Sequence, residues 1–282
     1  MLPVALGVVA VGFSAITGAY FATQKSEKAH EKRLRSKPFP KEWEPYLNKN
    51  VKLYHLLPSH LQQELKGYIN LFVAEKHFEG AGGLAVTDEM RVTVAGIACL
   101  MLLNRKTRNY PKLRTVILYP TAYFAGPDKD VIRLGESWND GEVVLAWDHV
   151  TKSSHDFRSG KNLVLHEFAH RLDQIDGAGD GVPDLENQSQ YTAWAEVMSQ
   201  EFDRLQKRVD KGYKTLLRPY GATNAAEFFA CITETFFEKP KALRKKHPKI
   251  YAQLKDFYQL DPVTWEKDSE NYLGSPFKKK AK

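Results

Sequence analysis

The segment Leu163-Val164-Leu165-His166-Glu167-Phe168-Ala169-His170 sets two histidines four residues apart, with a glutamate directly after the first. On a helix, residues i and i+4 share one face, so both imidazoles can reach one Zn²⁺ at about 2.0 to 2.1 Å. Glu167, beside the first histidine, then addresses a water at the metal instead of the metal itself. In zinc peptidases a glutamate so placed takes the proton from the attacking water, while the metal acidifies that water and polarises the peptide carbonyl. The spacing alone is only suggestive, because nine histidines in 282 residues can fall four apart by accident. Its context favours the metal, since Val164, Leu165, Phe168 and Ala169 make the segment a helix-compatible run held by a core.

A catalytic zinc takes three protein ligands and keeps a fourth position open. The stretch Tyr220-Gly221-Ala222-Thr223-Asn224-Ala225-Ala226-Glu227-Phe228-Phe229-Ala230 supplies a candidate. Thr223 or Asn224 can cap a helix whose first turn holds Glu227 and whose Phe228 and Phe229 must be buried. Glu234 shares the face of Glu227, and small Ala230 and Cys231 between them leave room for a neighbouring helix. An acidic face on so aromatic a helix needs partners, which a zinc site and its histidines would provide. The alternative is a pair of surface carboxylates opposite the packed face, which suits Glu234 better than Glu227. Asp173, three residues past His170, could serve as a ligand as in some Asp-using zinc peptidases, but reads first as a hydrogen-bond partner behind the site. The Asp176 to Gly181 loop lacks a calcium-loop pattern, because Ala178 stands in a ligand place and Asn187 where a bidentate glutamate is required. It reads as a turn at the cleft rim, and His149 and His155 as solvated loop residues.

These residues need elements to hold them. Apolar spacing predicts a helix from Ser59 to about His77, ended by the glycines at 80, 82 and 83, and a second, nearly all-apolar helix capped by Thr87 and Asp88. Strand signals follow at Thr115 to Tyr119, then at Val131 to Trp138 and Glu142 to Trp147, with Asp140-Gly141 as the hairpin turn between the last two. Val143 to Trp147 is expected at the sheet edge, where an extended peptide could add as a strand. Helical patterns run near Lys161 to Ile175, Gln188 to Val209, Asn224 to Glu238 and Pro248 to Gln259. Helices, then a small sheet, then helices predict an α+β fold.

Charge separates the ends from this body. Leu2 to Thr23 is an uncharged apolar and small-residue run, about 33 Å long as a helix and so able to cross a hydrocarbon core of about 30 Å. Six Lys/Arg against two Glu follow in residues 25–37, which predicts a retained single-span anchor with the rest of the chain in the cytoplasm. Ala10, Ser14, Gly18 and Ala22 recur every four residues, a pattern that admits a homodimer through the anchor. Four lysines close the chain at 278–282, and residues 38–277 carry 31 basic and 32 acidic side chains. The net charge of +7 therefore belongs to the ends, and no direct nucleic-acid binding is expected. Two cysteines in apolar surroundings, Cys99 and Cys231, exclude a disulfide scaffold.

The chain resembles the MtfA family of zinc-dependent peptidases, whose pattern joins a His-Glu-Phe-x-His helix to a later Ala-Glu-Phe-Phe-Ala helix. The likeness covers most of residues 40–260, including Thr87 to Thr93, Leu134 to Trp138, Val143 to Asp148 and Asp176 to Pro183. The Tyr220 to Ala230 stretch also resembles the anthrax lethal factor catalytic domain. The resemblance implies a zincin-like metallopeptidase domain with one Zn²⁺ per chain. It implies His166, His170 and Glu227 as ligands, Glu167 as general base, and Tyr220 as a hydroxyl aiding the tetrahedral oxyanion. It favours aminopeptidase action on a peptide or protein substrate. Family members are linked to control of a transcriptional repressor of sugar uptake, so a regulatory binding protein that captures a transcription factor, with hydrolysis secondary, is the rival. The expected organisation is a transmembrane anchor at 1–24, a basic juxtamembrane segment at 25–37, a zinc peptidase domain at 38–277 facing the cytoplasm from the cell inner membrane, and a basic tail at 278–282.

Overall fold

The computed structural model describes residues 22–105, 109–125, 131–133, 135–138 and 141–265. Helix α1, over residues 22–35, ends before Pro38, whose ring disfavours the helical conformation of its predecessor. It is followed by α2 (Glu44–Asn50), α3 (Ser59–Glu75), β1 (His77–Gly80) and α4 (Asp88–Ala98). The strands β2 (Thr115–Tyr119), β3 (Tyr123–Ala125), β4 (Val131–Arg133), β5 (Gly135–Trp138) and β6 (Glu142–Ala146) come next. The rest is helical: α5 (Trp147–His155), α6 (Leu163–Asp173), α7 (Gln188–Asp210), α8 (Ala225–Glu238), α9 (Pro240–Lys246) and α10 (Pro248–Tyr258). This is the helix-rich α+β arrangement expected.

The main sheet has the order β1-β2-β6-β5. The first three strands are parallel, with Val116 opposite Val143 and Leu118 opposite Leu145, and β5 runs antiparallel to β6. Val143 to Trp147 is not at the edge: β6 lies between β2 and β5, and Val143, Leu145 and Ala146 are fully buried, as a strand covered on both faces requires. The edge is β5. The run from Val131 to Trp138 is two strands, because β4 pairs with β3 in a separate ladder while β5 pairs with β6. Gly141, at φ +90°, takes the left-handed backbone expected at the hairpin, whose residues 139 and 140 lie outside the described ones. The sheet also includes β1, where the sequence pattern predicts only the end of a helix; its short segment buries one large apolar side chain, Phe78, and so carries no readable period.

Helix α6 sits at the centre. Val164, Leu165, Phe168, Ala169 and Leu172 are fully buried, and the Phe168 ring lies 5.0 Å from Tyr110 and 5.7 Å from Phe72. Helix α8 is buried along most of its length against α6, α9 and α10, with Phe229 5.7 Å from Trp194 and Phe236 stacked on Tyr258. Leu34 of α1 is buried, and Arg35 pairs with Glu64 of α3 at 3.3 Å and stacks on Tyr68. Among the described residues no helix is long and apolar enough to cross a membrane. Residues 1–21, which carry most of the expected anchor, and the tail at 278–282 lie outside the described ones.

Candidate metal centre

One residue aligns the two helices that carry the site. Asn162 caps α6 by accepting the Leu165 N–H at 3.1 Å, and its own N–H donates to Glu234 of α8 at 2.6 Å. Its side-chain amide donates to Glu238 at 3.0 Å, and Glu238 also accepts the Gly160 N–H at 2.7 Å. Burial pushes the Glu238 carboxyl up to about 7, against the lowering effect of these donors. The N-terminus of α8 is set by Asn224, whose side chain accepts the Glu227 N–H at 2.8 Å. Both oxygens of buried Asp173 accept the Gly181 N–H at 2.9 Å. That glycine comes so close to α8 that a Cβ there would stand 2.4 Å from the Ala225 carbonyl oxygen.

Three ligand atoms converge as a result. Oε2 of Glu227 lies 3.0 Å from Nε2 of His166 and 3.6 Å from Nε2 of His170. A tetrahedral ion with bonds of about 2.05 Å holds neighbouring ligand atoms roughly 3.3 Å apart, between these two distances. Apart from these two imidazoles, Oε2 of Glu227 is buried without a hydrogen-bond partner. A buried carboxylate oxygen left in that state is costly, and a cation among two imidazoles would satisfy it. The donor set and its spacing therefore fit a divalent metal of zinc type. Burial would raise the Glu227 carboxyl, but His166 and His170 outweigh it and hold it well below the usual range.

Behind the ligands, Nδ1 of His166 meets Oε1 of Glu234 at 2.7 Å, and Arg218 pairs with the same carboxylate. A proton on Nδ1 donated to Glu234 leaves the Nε2 lone pair free for a metal. Glu234 is 1% exposed, so its reading as a surface carboxylate is corrected: the start of α6 and His166 pack directly on it. Burial raises the Glu167 carboxyl, against the lowering effect of the two histidines, a direction that suits proton uptake. The backbone of β5 passes Glu167 at Gly135, where a Cβ would stand 2.7 Å from Oε1. Tyr220, half exposed on the turn Pro219–Ala222, donates its hydroxyl to Oε1 of Glu227 at 3.1 Å.

The fold thus brings together His166, Glu167, His170, Glu227 and Tyr220. His149 and His155 lie on α5, not in a loop, because the chain turns helical directly after β6. Arg218 and Glu238 form no local motif and are recognisable only once α6 and α8 are paired. Cys231 is a buried residue as expected, but its sulfur also lies with His166 and Glu234 in one cluster within 4.8 Å.

A family model described as glucose-regulated metallo-peptidase M90 matches residues 25–259. An uncharacterized protein of Synechocystis sp. is 36% identical over 244 residues, covering 83% of this chain and 89% of that protein. Proteins named Mlc titration factor A are similar too. The one from Yersinia enterocolitica is 28% identical, covering 80% of this chain and 90% of its own length, and the one from Yersinia pestis is 29% identical, covering 79% and 87%.

Proposed function

The chain belongs to the glucose-regulated metallo-peptidase M90 family, and from that membership we propose that it is a zinc-dependent peptidase with its site at α6 and α8. The observation that carries the reading is the convergence of His166, His170 and Glu227 on one point, with Oε2 of Glu227 otherwise unpartnered. A zinc ion held there supplies a Lewis acid that acidifies water and polarises the scissile carbonyl. Glu167 takes the proton of the attacking water and delivers it to the leaving amine. Glu234 and Arg218 keep the His166 ring in orientation through Nδ1. Tyr220 turns its hydroxyl from Glu227 to the oxyanion as charge develops. The outer edge of β5, the terminal strand of the sheet among the described residues, passes Glu167 at Gly135 and pairs with the extended substrate backbone.

Aminopeptidase action is the finer reading, tested by comparing peptides with free and acetylated amino termini. Residues 1–24 serve as a membrane anchor and 25–37 as its basic flank, so that the peptidase domain at 38–277 and the tail at 278–282 face the cytoplasm from the inner membrane; the uncharged run and the six Lys/Arg after it support this. The second reading, capture of a transcriptional regulator with hydrolysis secondary, is favoured by the name Mlc titration factor A of the Yersinia relatives. Chelation is expected to abolish peptide hydrolysis, and one equivalent of Zn²⁺ to restore it. Hydrolysis that survives complete metal removal would refute the metallopeptidase reading.

A further inference from the structure

The near-neutral charge of residues 38–277 hides a local concentration. The last turns of α7, the loop after it and the end of α9 gather Arg204, Lys207, Arg208, Lys211, Lys214 and Lys246 around two clefts. The clefts measure about 430 and 240 Å³ and share Arg204 and Arg208. All six cationic side chains are exposed. Against them the lining holds one carboxylate, Asp203, while nearby Glu201 is engaged by His247 at 2.7 Å and by Arg204 at 3.4 Å. Tyr213 stands on the same rim, 56% exposed, with the Arg208 guanidinium 5.4 Å from its ring centre. Arg208 also donates to the Lys214 carbonyl at 3.2 Å, which holds its fork in place.

The loop that forms this rim continues into the metal centre, where Arg218 pairs with Glu234 and Tyr220 with Glu227. Tyr213 and Tyr220, the exposed large aromatic side chains among the described residues, therefore mark the two ends of one strap. Seven residues span at most about 25 Å, so an extended peptide of similar length reaches from one end to the other.

We infer that the basic clefts are an exosite for an acidic segment of a polypeptide whose scissile bond lies at the metal centre. The inference rests on the peptidase reading. Arginine forks take carboxylates two-pronged, and separate carboxylates of a polypeptide can settle around Asp203. A nucleic-acid strand would instead press a continuous row of phosphates against it. The strap's continuity with the metal centre favours a polypeptide for the same reason. The acidic segment belongs within about seven residues of the bond that is cut.

The test uses the full chain carrying Glu167→Gln, so that binding is read without hydrolysis. Fluorescence anisotropy compares a labelled peptide containing six consecutive glutamates with its glutamine counterpart and with an oligothymidylate of equal charge. The glutamate probe is expected to bind at least tenfold more tightly than the other two. Lys207→Glu/Lys211→Glu should weaken it at least tenfold, while Lys28→Glu/Lys32→Glu on α1, with the same change of charge, should leave it within threefold. If the first pair of reversals impairs folding, Lys207→Gln/Lys211→Gln replaces it with the same expectation. Equal binding of the glutamate and glutamine probes, equal loss in both variants, or tighter binding of the oligothymidylate would overturn the inference. In the protein with native Glu167, the cleft variant should raise KM for peptides with glutamates within about seven residues of the cleavage site, with kcat unchanged and peptides lacking them unaffected. If no peptide is cleaved at all, the peptidase reading fails, and the anisotropy still decides whether the clefts bind acidic peptide.

Discussion

Glu167, Glu227 and Asp173 are three carboxyls within one small region whose electrical states are set by what faces each. Glu227 faces two imidazoles and is held ionised, which a metal ligand needs. Glu167 is buried beside β5 and is raised, which a proton acceptor needs. Asp173 has one N–H donor, from Gly181, and burial pushes it up to about 6 against an ordinary value of 3.8. The folded state therefore binds the Asp173 proton more tightly than the unfolded state does. Its contribution to stability is full below about pH 4, falls as pH rises through about 6, and is level above. Asp173→Asn keeps an acceptor for the Gly181 N–H but removes the titration. Urea unfolding at pH 4, 5.5 and 7 should show the variant gaining on the native protein as pH rises, by about 1.4 kcal/mol for each unit of displaced pKa at most. A constant difference across that range would contradict the assignment. At this scale the meeting of His166, His170 and Glu227 was legible in the sequence, because it follows from a helical repeat and a helix cap. The burial of Glu234 was not, since it depends on α6 beginning opposite the last turns of α8.

Between elements, the alignment of α6 with α8 depends on Asn162, which caps one helix and binds two carboxylates of the other. Asn162→Ala removes the cap, worth about 1 kcal/mol. It also leaves an oxygen of Glu238 without its donor, at a further 1 to 3 kcal/mol or so. A loss of roughly 2 to 4 kcal/mol in denaturant unfolding is expected, and a loss below about 0.5 kcal/mol would show that the clamp is dispensable. The long helices were legible from period and in part from caps: Thr87 and Asn224 cap the helices that follow them as expected, and Asn162 and Asn187 are caps that the structure adds. The sheet was legible only in part. Strand β1 buries one large apolar side chain, and the division of residues 131–138 between two ladders is a matter of which strands pair, which no run of side chains encodes.

For the whole molecule, an overall charge of +7 divides into basic ends and a nearly neutral body, and the body is itself polarised around the α7 clefts. A charge sum along the chain reveals the first division, but a sum over residues 38–277 averages out the second. Five of the six cleft cations fall between Arg204 and Lys214, and only Lys246 of α9 joins them on folding. The basic flank after the apolar run leads to the anchor prediction. The full chain should sediment with membranes and stay there in high salt and at alkaline pH, whereas a chain beginning at residue 25 should be soluble. Release of the full chain by salt alone would point to surface attachment instead of a span. The central claim is that this fold holds a metal in order to hydrolyse peptides, with Glu167 as the base. It is tested most directly by measuring zinc content and peptide turnover together in Glu167→Gln. The account predicts one zinc per chain, as in the unaltered protein, with turnover reduced by about a hundredfold to ten-thousandfold; undiminished turnover with zinc in place would contradict it.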